Sequence, residues 1–143
     1  MPGPYDDDQW LVGQTEEDDE DGGLIIRCRA HLPEPSARAG WRHLVLVGWT
    51  YEPDENGLPA KAVDRQMDAF EEAVTPALQD SGAGVLVASI TGAGLREWRF
   101  YTIGPDAFMD ALNTALETHP EYPLEFEAFE DPDWNALAEL LPD

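Results

Sequence analysis

Positive charge is what this chain has least of. Eight Lys and Arg stand against 30 Asp and Glu, a formal net charge of −22, and Lys61 is the single lysine. Holding a phosphate backbone or an anionic membrane surface requires clustered Lys and Arg. Direct nucleic-acid binding and membrane attachment are therefore set aside. Two readings of the acidity remain: solubility, as in a salty cytoplasm, or a partner with a basic face, such as a nucleic-acid-binding protein. Seven arginines against one lysine reads as a compositional bias rather than as a site.

Cysteine is nearly as scarce. Cys28 stands alone, so no internal disulfide forms and nothing indicates an oxidising compartment. It lies in the apolar run Leu24-Ile-Ile-Arg-Cys28 with no histidine beside it, the setting of a small buried thiol rather than a nucleophile. Long apolar runs are missing too, since no stretch approaches the ~18 residues of a membrane span. The start, Met1-Pro-Gly-Pro-Tyr-Asp-Asp-Asp8, has neither the basic nor the apolar region of a signal peptide. A cytoplasmic location is expected.

Core-forming residues, by contrast, are plentiful: 43% of the chain is hydrophobic, with five Trp, five Phe and four Tyr. A chain of 143 residues is the size of one domain and buries roughly 70% of its unfolded surface. Residues 1–9 read as a flexible acidic tail and 10–143 as a single α+β domain. A short strand at 10–14 is predicted to turn back through the self-repelling segment 15–23 into a strand at 24–30. Alternation puts Leu24, Ile26 and Cys28 on one face of that strand and Ile25, Arg27 and Arg29 on the other. Residues 33–40 read as a loop.

The run 41–49 is apolar on both faces, as a central buried strand should be. Asp64 opens a helix with the stripe Met67, Phe70, Val74 and Leu78, and Pro76 is expected to kink or end it. A strand at 85–91 and a tight Gly92-Ala-Gly94 connection lead into Leu95–Thr102 as a hairpin. Gly104-Pro105 starts a second helix with the stripe Phe108, Leu112, Ala115 and Leu116. A strand at 123–129 follows. Asp131 then caps a last short helix with Pro132 at its first position and Trp134, Leu137 and Leu141 as its apolar face. The order from Trp41 is βαββαβ, a ferredoxin-like core, with an N-terminal β-hairpin in front and a short C-terminal helix behind.

Catalytic and ligand motifs fail on inspection. Gly92-Ala-Gly94 lacks the third glycine of a dinucleotide fingerprint, because position 97 is Glu and a strand follows. The run from Glu52 to Gly57 begins like a calcium loop, but its twelfth position is Val63; the acidic loop from 16 places Cys28 near the same point. His31, His43 and His119 have no metal-ligand spacing, and no serine occupies a nucleophile elbow. No metal, cofactor or catalytic residue is assigned.

The arginines are more informative. Arg27, Arg29, Arg42, Arg96 and Arg99 fall in predicted strands, while 100–143 holds eleven acids and no Lys or Arg. Period two places Trp98 and Phe100 under the helices, with Glu97, Arg99 and Tyr101 on the opposite face near Glu125 and Glu127. One reading is cross-strand ion pairing with aromatic packing. The other is a ligand or partner face built from Arg27, Arg29, Glu97, Arg99 and Tyr101. Because the central strand is apolar on both sides, the face away from the helices needs a cover, either the N-terminal hairpin or a second subunit. A homodimer through that face is thus expected, and a monomeric mass by light scattering would count against it.

Several of these features together resemble Domain of Unknown Function family 695. They are the strand Arg96-Glu-Trp-Arg-Phe-Tyr-Thr102, the strand Tyr122-Pro-Leu-Glu125, Glu130-Asp-Pro-Asp-Trp134 before the last helix, and the hairpin ending in Arg27 and Arg29. The likeness spans most of the chain from Trp10. It implies the same α+β layout and no established activity. Some members are similar in part to the regulator of ribonuclease E activity B, a small acidic protein inhibitor; no counterpart of that second domain is present in these 143 residues. The expected function is a non-catalytic binding or regulatory module facing a basic protein partner. The alternatives are a small-molecule or enzymatic site on the Arg/Tyr face, and an immunity-type or nucleic-acid-mimic protein.

Overall fold

The computed structural model describes residues 9–14, 24–55 and 57–141. The expected tail up to residue 8 and the acidic turn at 15–23 lie outside the described residues. Gln9, assigned above to the tail, has its carbonyl held by the Ala30 N–H at 3.0 Å.

In chain order the elements are β1 (Trp10–Gln14), β2 (Ile25–Arg29), α1 (Pro35–Arg38), β3 (His43–Thr50) and α2 (Lys61–Ser81), then β4 (Gly84–Gly92), β5 (Leu95–Thr102), α3 (Pro105–Ala115), β6 (Leu124–Glu130) and α4 (Asn135–Ala138). The strands form one six-stranded sheet ordered β1-β2-β4-β5-β3-β6, with every neighbouring pair antiparallel. This is an α+β fold with two main helices. Its order differs from that of a four-stranded ferredoxin-like sheet, because the N-terminal hairpin extends the sheet itself: β2 pairs with β4 and carries β1 to the edge.

β3 takes the inner place its two-faced apolarity demands, between β5 and β6. Val45, Val47 and Trp49 point to one side and join a core with Met67, Phe70, Val74 and Leu78 of α2, Phe108 and Leu112 of α3, and Trp98 and Phe100 of β5. Phe70 and Trp98 approach to 4.7 Å between ring centroids, and Trp49 and Tyr122 to 4.8 Å. A fully buried side chain of this size stabilises by about 1.5–3 kcal/mol, so this layer holds most of the apolar contribution to folding.

The helices follow their stripes with two differences at the ends. α2 begins at Lys61, which leaves Asp64 in its first turn, where a carboxylate favours the positive helix end. It also runs through Pro76 to Ser81, and it is Gly82, left-handed at φ 72°, that stops it. Tertiary packing of Val74 and Leu78 on either side of Pro76 offsets the hydrogen bond the proline removes. Gly84 allows α3 to approach β4, since a Cβ there would lie 3.3 Å from the Phe108 ring. The β4–β5 connection is a two-residue turn with Ala93 at φ 55° and Gly94 at φ 86°, the hairpin expected from the glycines.

The second sheet face is not covered by the hairpin, as one alternative above held. It is covered by the chain's own C-terminal segment. Trp134 and Leu137, with Leu140 and Leu141 beside them, pack on Leu44, Val85, Val87 and Tyr101, and Trp41 and Leu32 close the side near α1. α1 occupies part of the expected loop 33–40, because a four-residue helix is too short to show a periodicity.

Candidate functional site

The residues put forward from sequence do not share a face. Register pairs Arg29 with Trp10 and Arg27 with both Val12 and Ser89, on the side of the helices. Glu97, Arg99 and Tyr101 lie on the other side, under the C-terminal segment. The proposed single Arg/Tyr face is therefore two separate clusters, divided by the thickness of the sheet.

On the helix side, the Trp10 ring lies beneath the guanidinium groups of Arg29, at 4.6 Å, and Arg27, at 5.3 Å. A cation over a tryptophan face is attracted by the ring quadrupole. Arg27 also pairs with Glu71 of α2 at 2.7 Å, and the same carboxylate oxygen accepts the Trp98 indole N–H at 2.8 Å. Glu71 thus links β2, α2 and β5. Arg29, 3% exposed, donates from Nε to the Leu86 carbonyl beside the register shift in β4. Further along β5, Arg96 reaches Thr91 and Asp64, fastening the hairpin to the first turn of α2.

On the other side, Tyr101 is fully buried and stacks on Trp134 with centroids 3.9 Å apart and planes 5° from parallel. Its hydroxyl donates to Asp131, whose carboxylate also accepts the N–H groups of Asn135 and Ala136. Burial, and then the hydrogen bond and charge of Asp131, push the Tyr101 phenol well above the ordinary tyrosine range. The phenol is thus a proton donor at every physiological pH, not a base. Trp134 adopts φ 58° and donates its indole N–H to the Trp41 carbonyl. The expected helix start at Pro132 is corrected: residues 132–133 form a turn, Trp134 is the residue before α4, and the Asp131 carboxylate satisfies the N–H groups of α4 from a distance.

Arg99 completes this clamp. It donates to the Ala136 carbonyl at 2.6 Å, to Glu97 at 2.9 Å and to Glu139. Burial alone would make its proton easier to lose, but the bonds to Glu139 and Glu97 outweigh that and hold the guanidinium charged. Its partners are these two carboxylates and not Glu125 or Glu127, the neighbours expected from the adjacent strand. Cys28 is buried and its thiol is pushed up by that burial, which suits an inert core thiol.

Trp10, Glu71, Asp131, Trp134 and Glu139 were not singled out as site residues from sequence. Only the Asp-Pro-x-Trp spacing hinted at the role of two of them. Among the described residues, no three His, Cys, Asp or Glu side chains are grouped to hold a metal ion, and no helix is long and apolar enough to cross a membrane. Among the described residues two concavities stand out, the first away from both clusters and the second beside the clamp. One is an apolar groove of about 510 Å³ between α2 and α3, floored by Ala77, Ala107 and Ala111. The other is a notch of about 260 Å³ between α1 and the 132–133 turn, flanked by Arg38 and Arg42.

The elements carrying these clusters also carry the family likeness. A model of the family of unknown function DUF695 matches residues 8–141. The chain belongs to DUF695. No curated protein matches it. In this DUF695 chain the Arg-x-Arg, the aromatic strand and the Asp-Pro-x-Trp segment all lock parts of the chain to one another. Of these segments, Asp-Pro-x-Trp also borders a concavity, the notch beside Pro132 and Asp133.

Proposed function

We propose that this DUF695 protein is a non-catalytic binding or regulatory module, resident in the cytoplasm, that uses carboxylates to engage a basic protein partner. One observation carries the reading. The arginines nearest to forming a ligand site are engaged by their own chain: Arg27 by Glu71, Arg29 by Trp10 and Leu86, Arg96 by Asp64, Arg99 by Glu97 and Glu139. Among the described residues, carboxylates such as Glu52, Asp54, Asp68, Glu72, Glu125 and Glu127 stand exposed, in a chain whose net charge is −22. The space above Tyr101, where an enzymatic site was the alternative, is filled by Trp134.

In the same reading, residues 43–130 are a ferredoxin-like unit to which the hairpin has been added. The order β6-β3-β5-β4 within the sheet supports this. Affinity capture with the tagged full chain from native lysate, at low and at moderate salt, tests the functional reading. A basic protein retained at low salt and released as salt rises is expected. Capture of nothing at either salt, or of an acidic partner indifferent to salt, would sink it.

A further inference from the structure

β6 ends the sheet, and nothing among the described residues pairs with its outer side. The direction of its backbone follows from two hydrogen bonds. The Tyr51 N–H bonds the Gly94 carbonyl, so odd-numbered residues of β3 exchange bonds with β5. The Asp131 N–H bonds the Arg42 carbonyl, so even-numbered residues of β3 exchange bonds with odd-numbered residues of β6. The backbone N–H and C=O groups of Phe126, Ala128 and Glu130 therefore point outward.

Edge strands are normally guarded by proline, a bulge, lysine or short length. β6 has seven residues, no proline, no lysine, and an unbroken register against β3. From Glu125 to Glu130 every residue is exposed, including Phe126 at 38% and Phe129 at 47%. Its one protection is the charge of Glu125, Glu127 and Glu130. That charge acts selectively, because like charges set opposite one another across a strand pair are destabilising and unlike charges are favourable.

We propose that the edge of β6 is a docking site at which an extended basic segment of a partner protein adds as a seventh strand. This rests on the reading of the protein as a binder of basic partners and names where and how it binds. Main-chain bonds to Phe126, Ala128 and Glu130 supply the affinity. Side chains set the specificity. On the second sheet face, the incoming strand meets Glu125 and Glu127 and needs Lys or Arg there. On the helix face it meets Phe126, which favours an apolar residue. Opposite residues 125–128 the partner segment thus alternates basic and apolar residues; beyond them the faces reverse, with Phe129 on the second face and Glu130 on the helix face. A second copy of β6 fits poorly, since it would bring its own glutamates against these.

The test uses the full chain and a short synthetic peptide alternating lysine and valine. Amide exchange followed by NMR is expected to show new protection at Phe126, Ala128 and Glu130 on adding the peptide. Ala128→Pro removes one outward donor but no bond to β3, and is expected to weaken binding at least tenfold. A double variant, Glu125→Lys with Glu127→Lys, leaves the backbone intact; it is expected to lose the lysine peptide and to accept one alternating glutamate and valine. This second variant decides the matter if the proline variant misfolds. Absence of peptide binding at low salt overturns the proposal, as does protection confined to other strands with both variants binding like the wild type. Self-association of the wild type that Ala128→Pro abolishes also overturns it, in favour of a second copy. If the salt-sensitive partner from lysate is retained equally by both variants, only the β6 site fails; if no such partner exists, the broader reading fails.

Discussion

The two faces of the sheet are held by different means. Facing α2 and α3, thirteen buried residues among those described form one continuous apolar layer, drawn from two helices, three strands and Ala83 between α2 and β4. On the other face, a short C-terminal segment is fastened by a few specific contacts: Tyr101 to Asp131, Trp134 against Tyr101 and onto the Trp41 carbonyl, and Arg99 to Ala136 and Glu139. Cohesion in the first layer is spread over many side chains and resembles any domain core. In the second it is concentrated, so removing one group there should free a whole segment. The helix layer makes the fold; the clamp decides whether one apolar face of the sheet is sealed.

Truncating one aromatic residue on each face puts that difference to the test. Phe70→Ala removes a fully buried ring at the centre of the helix layer and should cost about 3–5 kcal/mol, with all probes of unfolding shifting together. Trp134→Ala removes a comparably buried ring and should cost about 3 kcal/mol or more. Its signature differs, however. Amide exchange across 131–141 should rise steeply while α2 and β3 keep most of their protection, since local opening needs only the clamp to fail. Uniform loss of protection in both variants would show the two faces to be one cooperative unit.

This difference also decided what could be read in advance. The stripe from Met67 to Leu78, the alternation of Trp98 and Phe100, and the Ala93-Gly94 turn are periodic or local signals, and each lies where its pattern indicated. The clamp has no period. Tyr101 and Asp131 are thirty positions apart in sequence, and nothing in either neighbourhood names the other. Arg27 and Arg99 look alike as strand arginines, yet their partners, Glu71 and Glu139, come from distant helical segments on opposite sides. Parity within a strand assigns a face only relative to that strand. Only the register of β2 on β4 shows that Arg27 and Arg99 lie on opposite faces of the sheet.

Tyr101→Phe is the next step down in size and isolates the polar part of the clamp. It keeps the stack on Trp134 but leaves the Asp131 carboxylate with two donors instead of three, at a cost of about 1–3 kcal/mol. It also alters the response to alkali. With its pKa raised in the folded state, the phenol contributes fully at pH values below that of an ordinary tyrosine, about 10. Above that value the unfolded chain releases the proton and the folded chain keeps it. Stability then falls with rising pH, by at most about 1.4 kcal/mol per unit for each such group. Tyr51, also raised chiefly by burial, adds to the slope. Urea titrations between neutral pH and about pH 11 should give a shallower alkaline decline for Tyr101→Phe than for the wild type. An identical slope would mean the Tyr101 proton is no more tightly held in the folded chain than in the unfolded one.

The smallest effect contrasts the two non-glycine residues at positive φ, Ala93 at 55° and Trp134 at 58°. A left-handed backbone costs an L-residue about 1–2 kcal/mol. At Trp134 that cost is offset by a side chain that stacks and donates; exposed Ala93 gains nothing comparable from its methyl group. Ala93→Asn supplies the residue such a turn prefers before Gly94 and should raise stability by about 0.5–1 kcal/mol, read as a higher denaturation midpoint at unchanged slope. The same relief at Trp134, measured as the difference between Trp134→Gly and Trp134→Ala, should be about 1 kcal/mol in favour of glycine, with both variants far below the wild type. If Trp134→Gly matched the wild type, the ring would contribute no more than its own backbone strain, and the second face would not depend on it.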